Sequence, residues 1–183
     1  TSDTEVIVAA YQSYGIAFVE KLIGIFSIAL YDHTLGKLFL IRDRHGVKPL
    51  FYYHTKDSLV FASELRPIMA YPDFSKEIDL ESLQVMLAMK YVPAPKTIFK
   101  EVYKVRPGTV ITFESVKKVS EWVYWDSVQN YLDTPKTNPS IESYAKEVEA
   151  AVKRNLISDV GVATFLSGGI DSSLVSAYAK KHK

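Results

Sequence analysis

The sequence predicts an α+β unit, an antiparallel sheet with helices, followed by the start of an α/β unit built on a parallel sheet. Three observations carry that expectation. Apolar runs at 24–31 and 38–41 flank the turn residues Asp32-His33-Thr34-Leu35-Gly36-Lys37, and runs at 49–54 and 58–62 repeat the hairpin pattern around Thr55-Lys56-Asp57. Helical periodicity brackets these hairpins at 4–14 and from Asp79 onward. The last stretch reads as strand, glycine loop and helix, the order that builds parallel sheets.

Each element has a local reason. Over 4–14, Val6, Ile7, Ala10, Tyr11 and Tyr14 fall at helical spacing, with Ser2 or Asp3 suited to the N-cap and Gly15 to the end. Past 18–22 the period changes, and 24–31 reads as a buried strand with 38–41 returning beside it. Asp79 and Glu81 open a helix through Met89, and Pro93 and Pro95 stop it. Arg106-Pro107-Gly108 is a turn before a strand at 109–113, which 119–125 is expected to pair with. There Trp122, Tyr124 and Trp125 pack the sheet. The breakers in Asp133-Thr134-Pro135-Lys136-Thr137-Asn138-Pro139 mark a linker. Residues 141–156 form an amphipathic helix, 160–166 a buried parallel strand and 173–180 a final helix.

Composition narrows the function classes. The chain has 183 residues, enough for one domain or pieces of two. Lys+Arg 22 against Asp+Glu 21 leaves a formal charge of +1, so nothing points to nucleic acid or an anionic membrane. Lys180, Lys181 and Lys183 are a solvated helix end that complements the helix dipole. Cysteine is absent, which removes disulfides, a cysteine zinc site and a thiol nucleophile. No apolar run is long enough to cross a bilayer, and the polar start does not read as a signal peptide. The chain opens in one helical pattern and stops inside another, and is expected to be an excerpt of a longer protein. His33, His45, His54 and His182 show no i, i+4 pairing, so surface turns outweigh metal binding.

Ser167-Gly168-Gly169-Ile170-Asp171-Ser172-Ser173 is the stretch that carries chemistry. Adjacent glycines let backbone approach a ligand and admit positive φ. Free amides at the following helix start favour an anion. Asp171 would repel a phosphate unless a divalent cation lies between them, so its natural role is holding Mg²⁺. The competing reading is a plain turn with Asp171 or Ser172 as N-cap. No Gly-Lys-Ser/Thr occurs, so this is not a Walker loop. The stretch resembles the PP-loop of ATP pyrophosphatases, which cleave ATP to AMP and pyrophosphate while adenylating a substrate.

A wider resemblance rests on Ser2-Asp3-Thr4-Glu5-Val6-Ile7, Gly24-Ile25-Phe26-Ser27-Ile28-Ala29-Leu30-Tyr31-Asp32, Arg42-Asp43-Arg44-His45-Gly46-Val47-Lys48-Pro49-Leu50 and Phe61-Ala62-Ser63-Glu64-Leu65, joined in order to the glycine loop. These look like the glutaminase half of glutamine-hydrolysing asparagine synthetase. The resemblance implies an Ntn-hydrolase-type glutaminase part over 1–125, a linker over 126–140 and the N-terminal part of a PP-loop, adenine-nucleotide α-hydrolase-like, ATP-binding domain over 141–183. It implies a cytoplasmic ligase acting on glutamine, aspartate and ATP with Mg²⁺, through β-aspartyl-AMP, and homodimeric at full length.

The family nucleophile is an N-terminal cysteine, which this chain lacks; the early arginine and the Asn-Gly oxyanion segment fall ahead of Thr1. No catalytic residue is therefore assigned, and the fragment alone is expected to be inactive. Thr1, a conceivable nucleophile, is rejected because the resemblance puts it well inside the glutaminase domain. Asp3 matches the carboxylate that holds the α-ammonium of glutamine, against a plain helix cap. Leu166, Ser167, Gly168, Gly169, Asp171 and Ser172 match the ATP site, with Asp171 on Mg²⁺. Arg42, Asp43, Arg44 and Lys48 are expected to be a structural charge cluster, with Lys48 near the interdomain face. Two alternatives stay open: a relative that amidates another acid, such as a β-lactam synthetase, and a non-catalytic remnant of the fold.

Overall fold

The computed structural model describes residues 2–136 and 138–183; Thr1, and Thr137 of the expected linker, lie outside the described residues. The chain divides into two compact units, Thr1–Thr134 and Pro135–Lys183.

The first unit opens with α1 (Asp3–Tyr14), ended by Gly15 and continued as a 3₁₀ helix, Gly15–Lys21. Four strands follow: β1 (Ser27–Asp32), β2 (Lys37–Arg42), β3 (Phe51–His54) and β4 (Leu59–Ala62). Then come α2 (Leu65–Met69), α3 (Leu80–Met89), β5 (Val102–Lys104), β6 (Thr109–Glu114), β7 (Lys117–Val123) and α4 (Ser127–Asp133). Asp79 caps α3 by accepting from Glu81 N–H, and Lys90 ends it in the left-handed region before either proline.

The strands form two antiparallel sheets, ordered β1-β2-β6-β7 and β4-β3-β5. Strand alternation separates three apolar clusters. Phe39, Ile41, Val110 and Ile28 pack with Phe18 and Val19, with Ile7, Ala10 and Tyr11 of α1 against them. Leu40, Ile111 and Phe113 point the other way, onto Tyr52, Leu50 and Val105. Tyr53 and Val102 leave the far face of the second sheet and meet Ile68 of α2. The result is four layers: helix, sheet, sheet, helix. Covering both faces of the first sheet explains why Leu38–Ile41 of β2 is an unbroken apolar run and why β6 is buried from Thr109 to Phe113 without alternating.

Expectations fail at identifiable places in this unit. β1 is an edge strand with Ala29 and Tyr31 exposed and only Ile28 buried, where a buried strand is expected, because nothing among the described residues pairs with its outer side. α4 occupies part of the expected linker over 126–140, started by Asp126, whose carboxylate accepts from Gln129 N–H at 2.8 Å. Trp122 and Tyr124 pack on the first cluster as expected, while the Trp125 ring meets His45 at 4.8 Å.

The segment after β2 wraps a carboxylate. Asp43 is 1% exposed and accepts N–H bonds from His45, Val47 and Lys48 at 2.9–3.1 Å. Arg42 donates to the carbonyls of Gly46, Lys48 and Val105, and Arg44 to that of Glu20. Asp43→Ala orphans three amides in a desolvated turn and is expected to destabilise by roughly 2–3 kcal/mol, read as a lower denaturation midpoint.

The second unit holds α5 (Ile141–Asn155), capped by Ser140, and α6 (Ile170–His182). Val148, Val152 and Leu156 face Val162, Val175 and Ala179 across an apolar groove of about 410 Å³. Lys181 and His182 each reach Glu149 of α5 at 2.7 Å, so the basic helix end is partly an interhelix ion pair. The parallel strand expected over 160–166 is not formed: the segment is unpaired, and Phe165 is 98% exposed. A strand needs a neighbour to satisfy its amides, and every described strand belongs to the first unit.

Candidate functional site

In the first unit, a cleft of about 770 Å³ opens between the first two turns of α1 and β1. Asp3, Thr4, Ile7 and Val8 line one wall, residues 27–30 the other, and Lys48, Ser63 and Glu64 join them. Asp3 is not the helix cap. Ser2 holds that position without a side-chain bond, and Asp3 is the first helical residue. One Asp3 oxygen accepts from Thr4 N–H at 2.9 Å. The helix N-terminus favours the negative charge there. An exposed carboxylate with acceptor capacity to spare is thus fixed at the cleft edge.

Of the expected charge cluster, Arg42 and Asp43 are consumed by backbone contacts while Lys48 lines the cleft. Ser63 and Glu64 were not singled out as site residues. They stand where β4 turns into α2, and only the folded chain brings them beside Asp3.

In the second unit, Gly168 adopts φ +83, with nothing within 4 Å of where a side chain would start. Its glycine is demanded by conformation, not by crowding. Gly169, not Asp171 or Ser172, is the N-cap of α6, and it makes no side-chain bond. The first helical bond runs from Ser173 N–H to the Gly169 carbonyl at 3.1 Å. The amides of Ile170, Asp171 and Ser172 therefore have no intrahelical acceptor. The Ser172 hydroxyl donates to the Gly169 carbonyl at 3.1 Å, which leaves Ser167 as donor in the 3.0 Å contact between the two hydroxyls. Both hydroxyls are engaged in holding the loop shape, and the amides are what it offers outward. Asp171 stands in the first turn beside them, and Leu166 is exposed at the entry. A bare amide cradle with one adjacent carboxylate has the donor set for an anion accompanied by a divalent cation.

A family model described as a glutamine amidotransferase domain matches residues 1–125. The chain belongs to that family. A second model, described as asparagine synthase, matches residues 143–183 of this glutamine amidotransferase chain. Among curated relatives, asparagine synthetase [glutamine-hydrolyzing] 3 of Bacillus subtilis (strain 168) is 38% identical over all of this chain and 30% of its own length. Asparagine synthetase [glutamine-hydrolyzing] 2 of the same organism is 36% identical over 98% of this chain and 25% of its own. Amidase chry2 of Gibberella zeae is 33% identical over 96% of this chain and 26% of its own. The chain thus spans between a quarter and a third of these relatives.

Proposed function

We propose that the chain is an internal part of a glutamine-hydrolysing asparagine synthetase, a ligase that amidates aspartate with ammonia from glutamine at the expense of ATP. Residues 1–125 are the C-terminal part of an N-terminal-nucleophile glutaminase domain, 126–140 the linker, and 141–183 the start of the PP-loop domain. One observation carries the reading: amidotransferase and asparagine synthase matches follow each other along one chain, over 1–125 and 143–183. The layered sheets and the carboxylate-edged cleft support the first half, and the glycine cradle supports the second.

In this reading Asp3 bonds the α-ammonium of glutamine, a charge-assisted contact that orients the amide for attack. Amides at 168–172 grip the inner phosphates of ATP, the backbone at Leu166 flanks the adenosine, and Ser167 and Ser172 keep the loop open. Asp171 would hold Mg²⁺, which when bound would offset negative charge on the phosphates. By likeness to that family the full-length enzyme is cytoplasmic and homodimeric.

Asp3→Ala in the full-length protein tests the glutamine half. Losing the charged partner is expected to raise KM for glutamine by about a hundredfold while asparagine formation from free ammonia is kept. An unchanged KM for glutamine refutes the assignment.

A further inference from the structure

The cleft has a pin at one end. α1 lines it with Asp3 and Ile7, one turn apart on a single stripe, and the next residue of that stripe is Tyr11. β1 lines it as far as Leu30, and the next residue on the same side of the strand is Asp32. At that point the two walls are joined: Tyr11 Oη donates to Asp32 Oδ2 at 2.7 Å in a half-buried setting.

Both partners are themselves immobilised. The other carboxylate oxygen of Asp32 accepts from Thr34 N–H and Leu35 N–H at 2.8 and 2.9 Å, so the turn between β1 and β2 orients it. The Tyr11 ring packs edge-on to Phe18 at 6.1 Å and tilted on Phe39 at 5.9 Å. Burial and the bond to Asp32 push the Tyr11 hydroxyl up to about 12, and the same bond holds Asp32 below the usual carboxylate range. The tyrosine keeps its proton and the aspartate its charge at neutral pH. Elsewhere none of the α1 residues is buried; Ile7 and Ala10 are the other side chains it lays on the core, and the Tyr14 ring meets the Lys21 ammonium at 4.7 Å.

We propose that the Tyr11–Asp32 hydrogen bond is a positioning contact that sets the spacing between α1 and β1 and so holds Asp3 at the height glutamine requires. The proposal rests on the assignment of Asp3 to the glutamine ammonium. Tyr11 touches no substrate; it stands about 12 Å along the helix from Asp3. Without the hydroxyl the helix pivots on its apolar contacts, and a displacement of about an ångström at its far end degrades a charged contact.

The test uses the full-length protein and three variants. Tyr11→Phe keeps the ring and is expected to raise KM for glutamine about tenfold, with the glutaminase kcat and the ammonia-dependent activity unchanged. Asp32→Asn keeps its one oxygen on the Thr34 and Leu35 amides and turns its NH2 to the tyrosine, whose hydroxyl oxygen then accepts; the contact survives with its direction reversed, and the KM should stay near the wild-type value. Asp3→Ala separates the two levels of the argument. A raised KM in Asp3→Ala with an unchanged KM in Tyr11→Phe overturns the pin alone, even if Tyr11→Phe melts earlier. An unchanged KM in both overturns the glutamine assignment and the pin with it.

Discussion

Asp171→Ala in the full-length protein is expected to lower Mg-ATP affinity and ATP-dependent pyrophosphate release by roughly a hundredfold or more, the scale on which removing one preorganised charge contact acts. Asp171 lies in the first turn of α6, beside three amides that have no intrahelical acceptor. A carboxylate there works against a bound phosphate unless a cation is shared between them. Removing it should therefore abolish the magnesium dependence of binding as well as the affinity. Glutamine hydrolysis in the first unit should be unaffected. A carboxylate serving only the helix dipole would shift thermal stability slightly and leave nucleotide affinity alone. Titration calorimetry with ATP, with and without magnesium, separates the two, and equal affinities for variant and parent would discard the metal role.

Gly108→Ala is expected to be the most damaging single methyl group in the chain. Gly108 has φ +59, and a Cβ there would lie 2.1 Å from the carbonyl oxygen of Trp125. That neighbour is backbone and cannot swing aside. Gly108 also donates to the Asp43 carbonyl at 2.8 Å and accepts from Tyr124 and Trp125 N–H at 2.8 and 3.2 Å. Relieving the clash means prising the start of β6 from the end of β7 and from the Asp43 turn. The cost is about 4 kcal/mol, at the upper end of single substitutions. Thermal or denaturant unfolding of the purified protein reads it directly; a midpoint within a degree or two of the parent would show that the turn yields far more easily than its geometry implies.

How much of this was legible beforehand depends on where each signal resides. α1, the two hairpins and the Asp79-capped helix were readable because spacing, caps and turn residues are local. β5 was not, since Val102–Lys104 is too short to show a period and is a strand only by virtue of β3 beside it. α4 was hidden among breakers, its signal reduced to one aspartate cap. The stretch 160–166 misled in the other direction: its side chains ask for a sheet, but strand state is a property of pairs. At the sites, the glycine loop announced itself by residue type. Asp3 looked like any cap until the family motif was considered, and Lys48, Ser63 and Glu64 reach the cleft only through tertiary folding.

The register of the first sheet bears on how the protein is made. β2 has β1 as a local neighbour on one side, but its other edge waits for β6, some seventy residues later in the chain. The β1–β2 hairpin therefore leaves the ribosome with one flank of Leu38–Ile41 uncovered until residue 114 has itself emerged. Nascent chains stalled before that point should depend on chaperones, and ones stalled beyond it should not.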